Sequence, residues 1–236
     1  MRKNGSRLIS VKQYRAMDLA IFAVITVVSE LLGYFSTVWF AGSAFFTLSL
    51  VVPITCLVLV RWGWPAVFYP VLGGAAYCLA SGMGVDSGTA LNYYATYCLG
   101  GTFILLMLLP AKLIGVDRIR SKWIFTALFA VGAWLCVYLG RSTVWAIFYT
   151  IKPVPNATAT TGFSGFWLDV ISLFAGVVVL LIMRKLDGMF EEQKRYLTRV
   201  DEERKDKMKY DSFGDEPVEI DEQSLSILNR DNDLYD

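Results

Sequence analysis

The chain has 236 residues, 55% of them hydrophobic and 18% charged, with a formal net charge of +1. Repeated apolar runs of about 20 residues are typical of polytopic helical membrane proteins, so this composition excludes an ordinary soluble domain. Because the chain has no histidine, no glycine-rich phosphate loop and no closely spaced carboxylate pair, we expect neither enzymatic activity nor a cofactor. Its four cysteines stand singly in apolar runs, which favours buried thiols over disulfides or a metal site.

The first apolar run, residues 14–34, is long enough to span a bilayer, because about 20 residues at ~1.5 Å rise cover the ~30 Å hydrocarbon core. It follows a basic segment, residues 1–15, which the positive-inside rule places in the cytoplasm. One face of the predicted helix is small and ends in a carboxylate; it comprises Ala16, Ala20, Ala23, Val27 and Glu30. A charge at such depth usually faces a protein interior or a cavity.

Five further spans follow by the same criterion. They are predicted at residues 40–60, 66–81, 91–109, 123–149 and 166–183. The fifth run exceeds one membrane thickness, so this helix must tilt, project outward or break around Gly140. Only Arg141 and Lys152 are basic on the side that this arrangement places outside. The prediction is therefore an all-α, six-helix transmembrane bundle in a cell membrane, that of a bacterium, with both termini cytoplasmic.

The composition changes after Arg184. Residues 186–209 carry acid-to-base pairs at i,i+4, such as Glu191–Arg195, which support a helix that continues into the cytoplasm. In residues 210–236 acidic residues outnumber the single Arg230, which predicts a disordered acidic tail. We therefore predict a transmembrane domain at residues 1–186 and a charged cytoplasmic domain at residues 187–236.

Polar and aromatic residues collect near the outer ends of the predicted spans. By helix rise, Glu30 and Asp169 each lie ~22 Å from the inner membrane boundary, and Arg141 lies near the outer boundary. We predict an outward-facing pocket whose aromatic walls stack on a flat solute while these charged groups fix its polar atoms. The predicted substrate-binding residues are Glu30, Trp39, Asn92, Tyr93, Tyr97, Arg141, Trp145, Trp167 and Asp169.

A structural interpretation of the same residues stays open. Arg141 could pair with Glu30 or Asp169 as a bridge, and the aromatic residues could form the belt at the membrane interface. The small face of the first span could pack inside the bundle along its whole length, or its inner end could meet another subunit.

The pattern resembles the substrate-binding S component of an energy-coupling-factor (ECF) vitamin transporter. Four features carry the resemblance: six spans within residues 12–186, both termini inside, Ala16-x-x-x-Ala20 at the inner end of the first span, and polar and aromatic residues near the outer ends of spans four to six. The resemblance implies that Ala16 and Ala20 dock onto a membrane coupling subunit and that ATPase subunits supply energy. It also implies that Arg141, Asp169 and the aromatic residues bind a vitamin-like solute from outside. The extension after residue 186 departs from the family pattern and leaves open which energising module is used.

Two other functions remain open. A non-transporting scaffold of a cell-shape or division complex (MreD-like) would use the cytoplasmic tail to bind partners. A self-sufficient secondary carrier would transport without ATP, although no inverted repeat between the halves is evident. The expected partners are a small-molecule solute, a coupling subunit, ATPase subunits and the lipid bilayer, and we expect no nucleic acid.

Overall fold

The structure, a computed structural model, describes most of the chain up to residue 203. The described residues are 11–39, 48–82, 89–155, 157–161, 170–186, 188–193, 195–200 and 202–203. Their regular secondary structure is entirely helical, which confirms the prediction of an all-α chain. The predicted acidic tail, residues 210–236, lies outside the described residues.

The described residues form a series of helices in chain order. They are α1 (Val11–Trp39), α2 (Val51–Trp62), a 3₁₀ helix (Trp64–Val67), α3 (Phe68–Ala80), α4 (Ala90–Ile114), α5 (Val116–Ser121), α6 (Trp123–Ile151) and α7 (Val170–Met183). Within the described part of the chain, α1, α4 and α6 are long and apolar enough to cross a membrane. Two shorter helices, α2 and α7, are also apolar, as is the stretch Trp64–Ala80.

Helix α4 changes its geometry along its length. It begins as an α-helix, widens to a π-helix at Ala95–Leu99, tightens to a 3₁₀ helix at Thr102–Met107 and ends as an α-helix at Leu108–Ile114. The prediction that this span stops before Pro110 is wrong, because the proline falls in the first turn of the last segment, where a missing N–H is tolerated.

No break occurs at Gly140, because α6 runs without interruption through 29 residues. A Cβ at Gly140 would collide with the carbonyl oxygen of Gly100 and with Phe103 on α4. This glycine therefore serves the close approach of two helices, a common use of small residues in membrane bundles.

Helix α3 packs between α1 and α4 through two adjacent glycines. A Cβ at Gly73 would lie 3.2 Å from Thr26 Cγ2 of α1, and a Cβ at Gly74 would lie 2.7 Å from the carbonyl carbon of Tyr97 on α4. Larger side chains at either position would force the backbones apart.

One end of the bundle, called the basic end below because Arg15, Arg61 and Arg120 lie there, contains a buried ion pair. The guanidinium of Arg61 at the end of α2 donates to both carboxylate oxygens of Asp18 on α1, at 3.0 and 2.7 Å. The indole N–H of Trp62 donates to the same carboxylate at 2.6 Å, and Arg61 also donates to the carbonyl oxygen of Gly188. Arg61 is only 4% exposed, so this network ties α1, α2 and the segment after α7 together.

The chain after α7 folds back onto this basic end instead of continuing as a helix from residue 186. Gly188 adopts φ +70°, a left-handed conformation that interrupts a helix. Phe190 is fully buried against Phe129 of α6, with ring centroids 6.4 Å apart. Glu191 forms an ion pair with Arg120 of α5 at 3.0 Å.

The chain divides into two compact units, residues 1–194 and residues 195–236. In the second unit, residues 195–200 are helical, and Arg199 forms an i,i+4 ion pair with Glu203 at 3.8 Å.

Candidate functional site

Arg141 lies where α4 and α6 approach each other most closely. A Cβ on Gly100 of α4 would lie 2.5 Å from the Cα of Arg141 and 3.0 Å from its Cγ. Gly140, next along α6, packs against the carbonyl oxygen of Gly100. Because glycines occupy both sides of this crossing, the stem of Arg141 lies directly on the backbone of α4.

The guanidinium of Arg141 lies over the ring of Tyr97, with 4.9 Å from Cζ to the ring centroid. Attraction between a cation and an aromatic face at this distance is worth about 0.5–2 kcal/mol. Tyr97 belongs to the π-helical segment Ala95–Leu99. Such wide turns are rare and occur frequently at functional sites, because they displace one residue from the regular helix surface.

Arg141 has no carboxylate partner within the part of the chain that the structure describes. Its Nε is buried and meets no hydrogen-bond acceptor. Glu30, one of its two suggested partners, instead accepts a hydrogen bond from the hydroxyl of Ser49 at 2.6 Å. The interpretation that Arg141 and Glu30 form a bridge is therefore wrong. Asp169, the other suggested partner, lies outside the described residues.

The predicted aromatic residues of α4 and α6 contact one another near Arg141. Tyr77 of α3 lies against Tyr97, with ring centroids 5.0 Å apart, and Tyr93 lies against Trp145 at 5.5 Å. The indole N–H of Trp145 donates to the carbonyl oxygen of Thr158 at 3.0 Å, which fixes the ring. This arrangement presents aromatic rings beside a cation, the combination that binds a flat, polar solute.

Asn92 lies near the start of α4, next to Tyr93. Its side-chain nitrogen donates to the carbonyl oxygen of Lys152 at 2.7 Å, which links the start of α4 to the end of α6. The residue is fully buried, and its Oδ1 has no hydrogen-bond donor among the described residues. An unsatisfied buried acceptor costs about 1–3 kcal/mol, so this oxygen is available to a bound group that carries an N–H or O–H.

Glu30 lies in a different polar cluster. It is 4% exposed and lies on α1 beside Gly73, with Ser49 as a hydrogen-bond donor. The backbone N–H of Ser49 donates to Ser172 Oγ of α7 at 3.0 Å. The structure therefore joins Glu30 to α2 and α7 through hydroxyl groups.

Trp39 lies at the end of α1 and is 77% exposed, with its ring 6.2 Å from that of Phe35 one turn earlier. This position is typical of the aromatic belt of a membrane protein. Trp167, like Asp169, lies outside the described residues.

The two predicted docking residues, Ala16 and Ala20, are exposed at the basic end of α1. They line an apolar groove of about 560 Å³ between α1 and the start of α3. Further along α1, Thr26 and Glu30 turn into the bundle and are buried. The small face is thus exposed near the start of α1 and packed further along the helix.

Sequence reasoning missed the pairing of Asp18 with Arg61. The available signal was Asp18 itself, since an acidic residue within an apolar run usually has a partner inside the protein.

No group of three or more metal-ligating side chains is arranged to hold a metal ion among the described residues. Compared with family models, curated proteins and solved structures, the chain matches none.

Proposed function

We propose that the chain is the substrate-capture subunit of an importer of the energy-coupling-factor type. It binds a small, planar, vitamin-like solute from outside and releases it inside when partner subunits drive reorientation of the loaded bundle. In this proposal the three long apolar helices and the three shorter apolar stretches each provide one crossing of a bacterial plasma membrane, with both termini cytoplasmic.

The positions of the basic side chains support this orientation. Arg61 contacts both α1 and the segment after α7, and Arg120 contacts Glu191, so the ends of several helices meet at one basic surface. Basic residues concentrate on the cytoplasmic side of membrane proteins, which supports an orientation with this surface inside and Arg141 towards the outside.

The observation that carries the proposal is the state of Arg141. A guanidinium at a helix crossing costs roughly 2.5–3.5 kcal/mol near the bilayer centre, less towards the edge, unless a counter-charge or cavity compensates. Arg141 lies over Tyr97, next to the Tyr93–Trp145 pair, and its buried Nε has no acceptor in the described chain. A solute that supplies the missing acceptor and stacks on the rings accounts for all of these features.

Energy must come from partners, because the sequence contains no phosphate-binding loop. Ala16 and Ala20 are exposed on α1 and let another helix approach closely, which supports docking of a membrane coupling subunit at this end. The ATPase subunits act through that coupling subunit.

The direct test is mass spectrometry of small molecules retained by the purified full-length protein. We expect the wild-type protein and an Arg118→Ala control to retain the same solute and Arg141→Ala to lose it, because Arg118 is exposed on α5, away from the aromatic rings. Equal retention by the Arg141→Ala protein, with unchanged membrane insertion, would refute the site.

Co-purification tests the energising module separately. We expect ATPase subunits and a membrane coupling subunit to co-purify with the chain from its native membrane. Cell-shape or division proteins in their place would support a scaffold, and uptake by the chain alone in liposomes without ATP would support a secondary carrier.

A further inference from the structure

An apolar groove opens at the basic end of the bundle, far along α1 from Glu30. Its volume is about 560 Å³, within the ~300–1,000 Å³ range of small-molecule sites. Its walls come from one face of α1 and the first turns of α3; they comprise Ala16, Leu19, Ala20, Ala23, Phe68 and Leu72. Tyr69 does not make the groove polar, because its hydroxyl donates to the carbonyl oxygen of Leu19 at 2.7 Å.

The mouth of the groove carries two cations, Lys12 and Arg15. Arg15 is held over the ring of Trp62, with 5.5 Å from Cζ to the ring centroid. The nearest acid on the same helix, Asp18, is already bound by Arg61 and Trp62. Neither Lys12 nor Arg15 forms an ion pair with any residue that the structure describes, so both charges are available to an outside anion.

We propose that this groove binds an anionic phospholipid of the leaflet at the basic end. One acyl chain lies in the apolar groove, and the phosphate lies between Lys12 and Arg15. The apolar groove alone would bind lipids with any headgroup, whereas the two cations select a headgroup with net negative charge. Basic pockets between membrane helices on the cytoplasmic side bind anionic headgroups in this way.

Trp64 contributes to this site from the opposite side of the mouth. It is 63% exposed and lines the groove together with Pro65 at the start of the 3₁₀ helix. Tryptophan rings prefer the headgroup level of a bilayer, which places the mouth at the depth of a lipid phosphate.

The lipid site is independent of the solute site but overlaps the predicted docking residues Ala16 and Ala20. The lipid fills the groove when no partner subunit is bound, and a docking helix must displace it. The proposal therefore stands whether or not the chain captures a solute.

The test uses the purified full-length protein in mixed vesicles of phosphatidylglycerol and phosphatidylcholine with matched acyl chains. Native mass spectrometry then measures which lipid stays bound. We expect preferential retention of phosphatidylglycerol, and the Lys12→Gln/Arg15→Gln variant should lose about 25-fold in affinity for it, about fivefold for each cation. The matched control, Arg118→Gln/Lys122→Gln, removes two exposed cations at the same end and should retain the preference.

A second variant tests the groove itself. Ala20→Trp fills the apolar space and should abolish retention of both lipids while the melting temperature and elution volume stay unchanged. Equal retention of phosphatidylglycerol by the double glutamine variant would overturn the proposal. So would retention by the Ala20→Trp protein, or a groove occupied by a co-purified protein helix with no lipid bound.

Discussion

The Cα of Arg141 lies 2.5 Å from the point that a Cβ on Gly100 would occupy. No side chain fits between these two backbones, so the position of Arg141 depends on the glycine of the neighbouring helix. We expect Gly100→Ala to force α4 and α6 apart and to destabilise the protein by about 1–3 kcal/mol, the usual cost of overpacking a dense interior.

Thermal unfolding in detergent measures this effect, and Gly132→Ala provides the matched control. A Cβ at Gly132 would meet only the flexible end of Met107, with Cε at 3.1 Å, which can move aside. An equal loss of stability in both variants would show that the crossing at Gly100 is not unusually tight.

The ring of Tyr97 should matter for solute binding through Arg141. Tyr97→Leu removes the aromatic face under the guanidinium, whereas Tyr97→Phe keeps it. We expect the leucine variant to lose about 0.5–2 kcal/mol of solute affinity and the phenylalanine variant to lose less. Titration of each purified variant with the retained solute checks this order, and a larger loss in the phenylalanine variant would contradict it.

Asp18 should be essential for stability because its partner Arg61 is buried. Asp18→Ala leaves an uncompensated guanidinium that is 4% exposed, which should cost about 3–5 kcal/mol. Glu203→Ala is the control, since it breaks an exposed ion pair with Arg199 that should contribute at most about 1 kcal/mol. Unfolding measurements that give the two variants similar stabilities would contradict this account.

The hydrogen bond from Ser49 to Glu30 should give a measurable coupling energy between these two side chains in the free energy of unfolding. Because the acceptor is a carboxylate in a buried site, a double-mutant cycle of Ser49→Ala and Glu30→Ala should give about 1.5–3 kcal/mol. Additive losses of stability in the cycle would show that the two side chains do not interact.

The segment after α7 should be required for the stability of the bundle, and the chain beyond residue 194 should not. Phe190 is fully buried, so Phe190→Ala should cost about 3–5 kcal/mol. A chain that ends at residue 186 should lose at least as much, whereas a chain that ends at residue 194 should unfold like the full protein. Equal melting temperatures for the two truncated chains would contradict this boundary.

The apolar runs were sufficient to predict an all-helical chain, because hydropathy and length depend only on local sequence. Helical periodicity also predicted that Tyr93 and Tyr97 share one face of α4 and that Arg141 and Trp145 share one face of α6. The contacts of Arg141 with Tyr97 and of Trp145 with Tyr93 join these two faces. Periodicity placed Ala16 and Glu30 on one face of α1, but it left open whether that face is packed along its whole length; the structure exposes Ala16 and buries Glu30.

Other features depend on contacts that no local pattern encodes. Asp18 and Arg61 are 43 positions apart, and the fold-back of the last segment depends on Gly188 and the burial of Phe190. The π-helical segment of α4 includes Tyr97, on whose backbone Gly74 of α3 packs, and local helix propensity does not predict such a segment.

The π-helical turn also determines how the two ends of α4 are oriented around its axis. One additional residue in a turn rotates everything before it by about 100° relative to a regular helix. Tyr93, which precedes this turn, lies against Trp145 with ring centroids 5.5 Å apart. Shortening α4 by one residue within Ala95–Leu99 would therefore turn Tyr93 and Asn92 towards another neighbour. The contact of Gly100 with α6, which follows this segment, would stay in place.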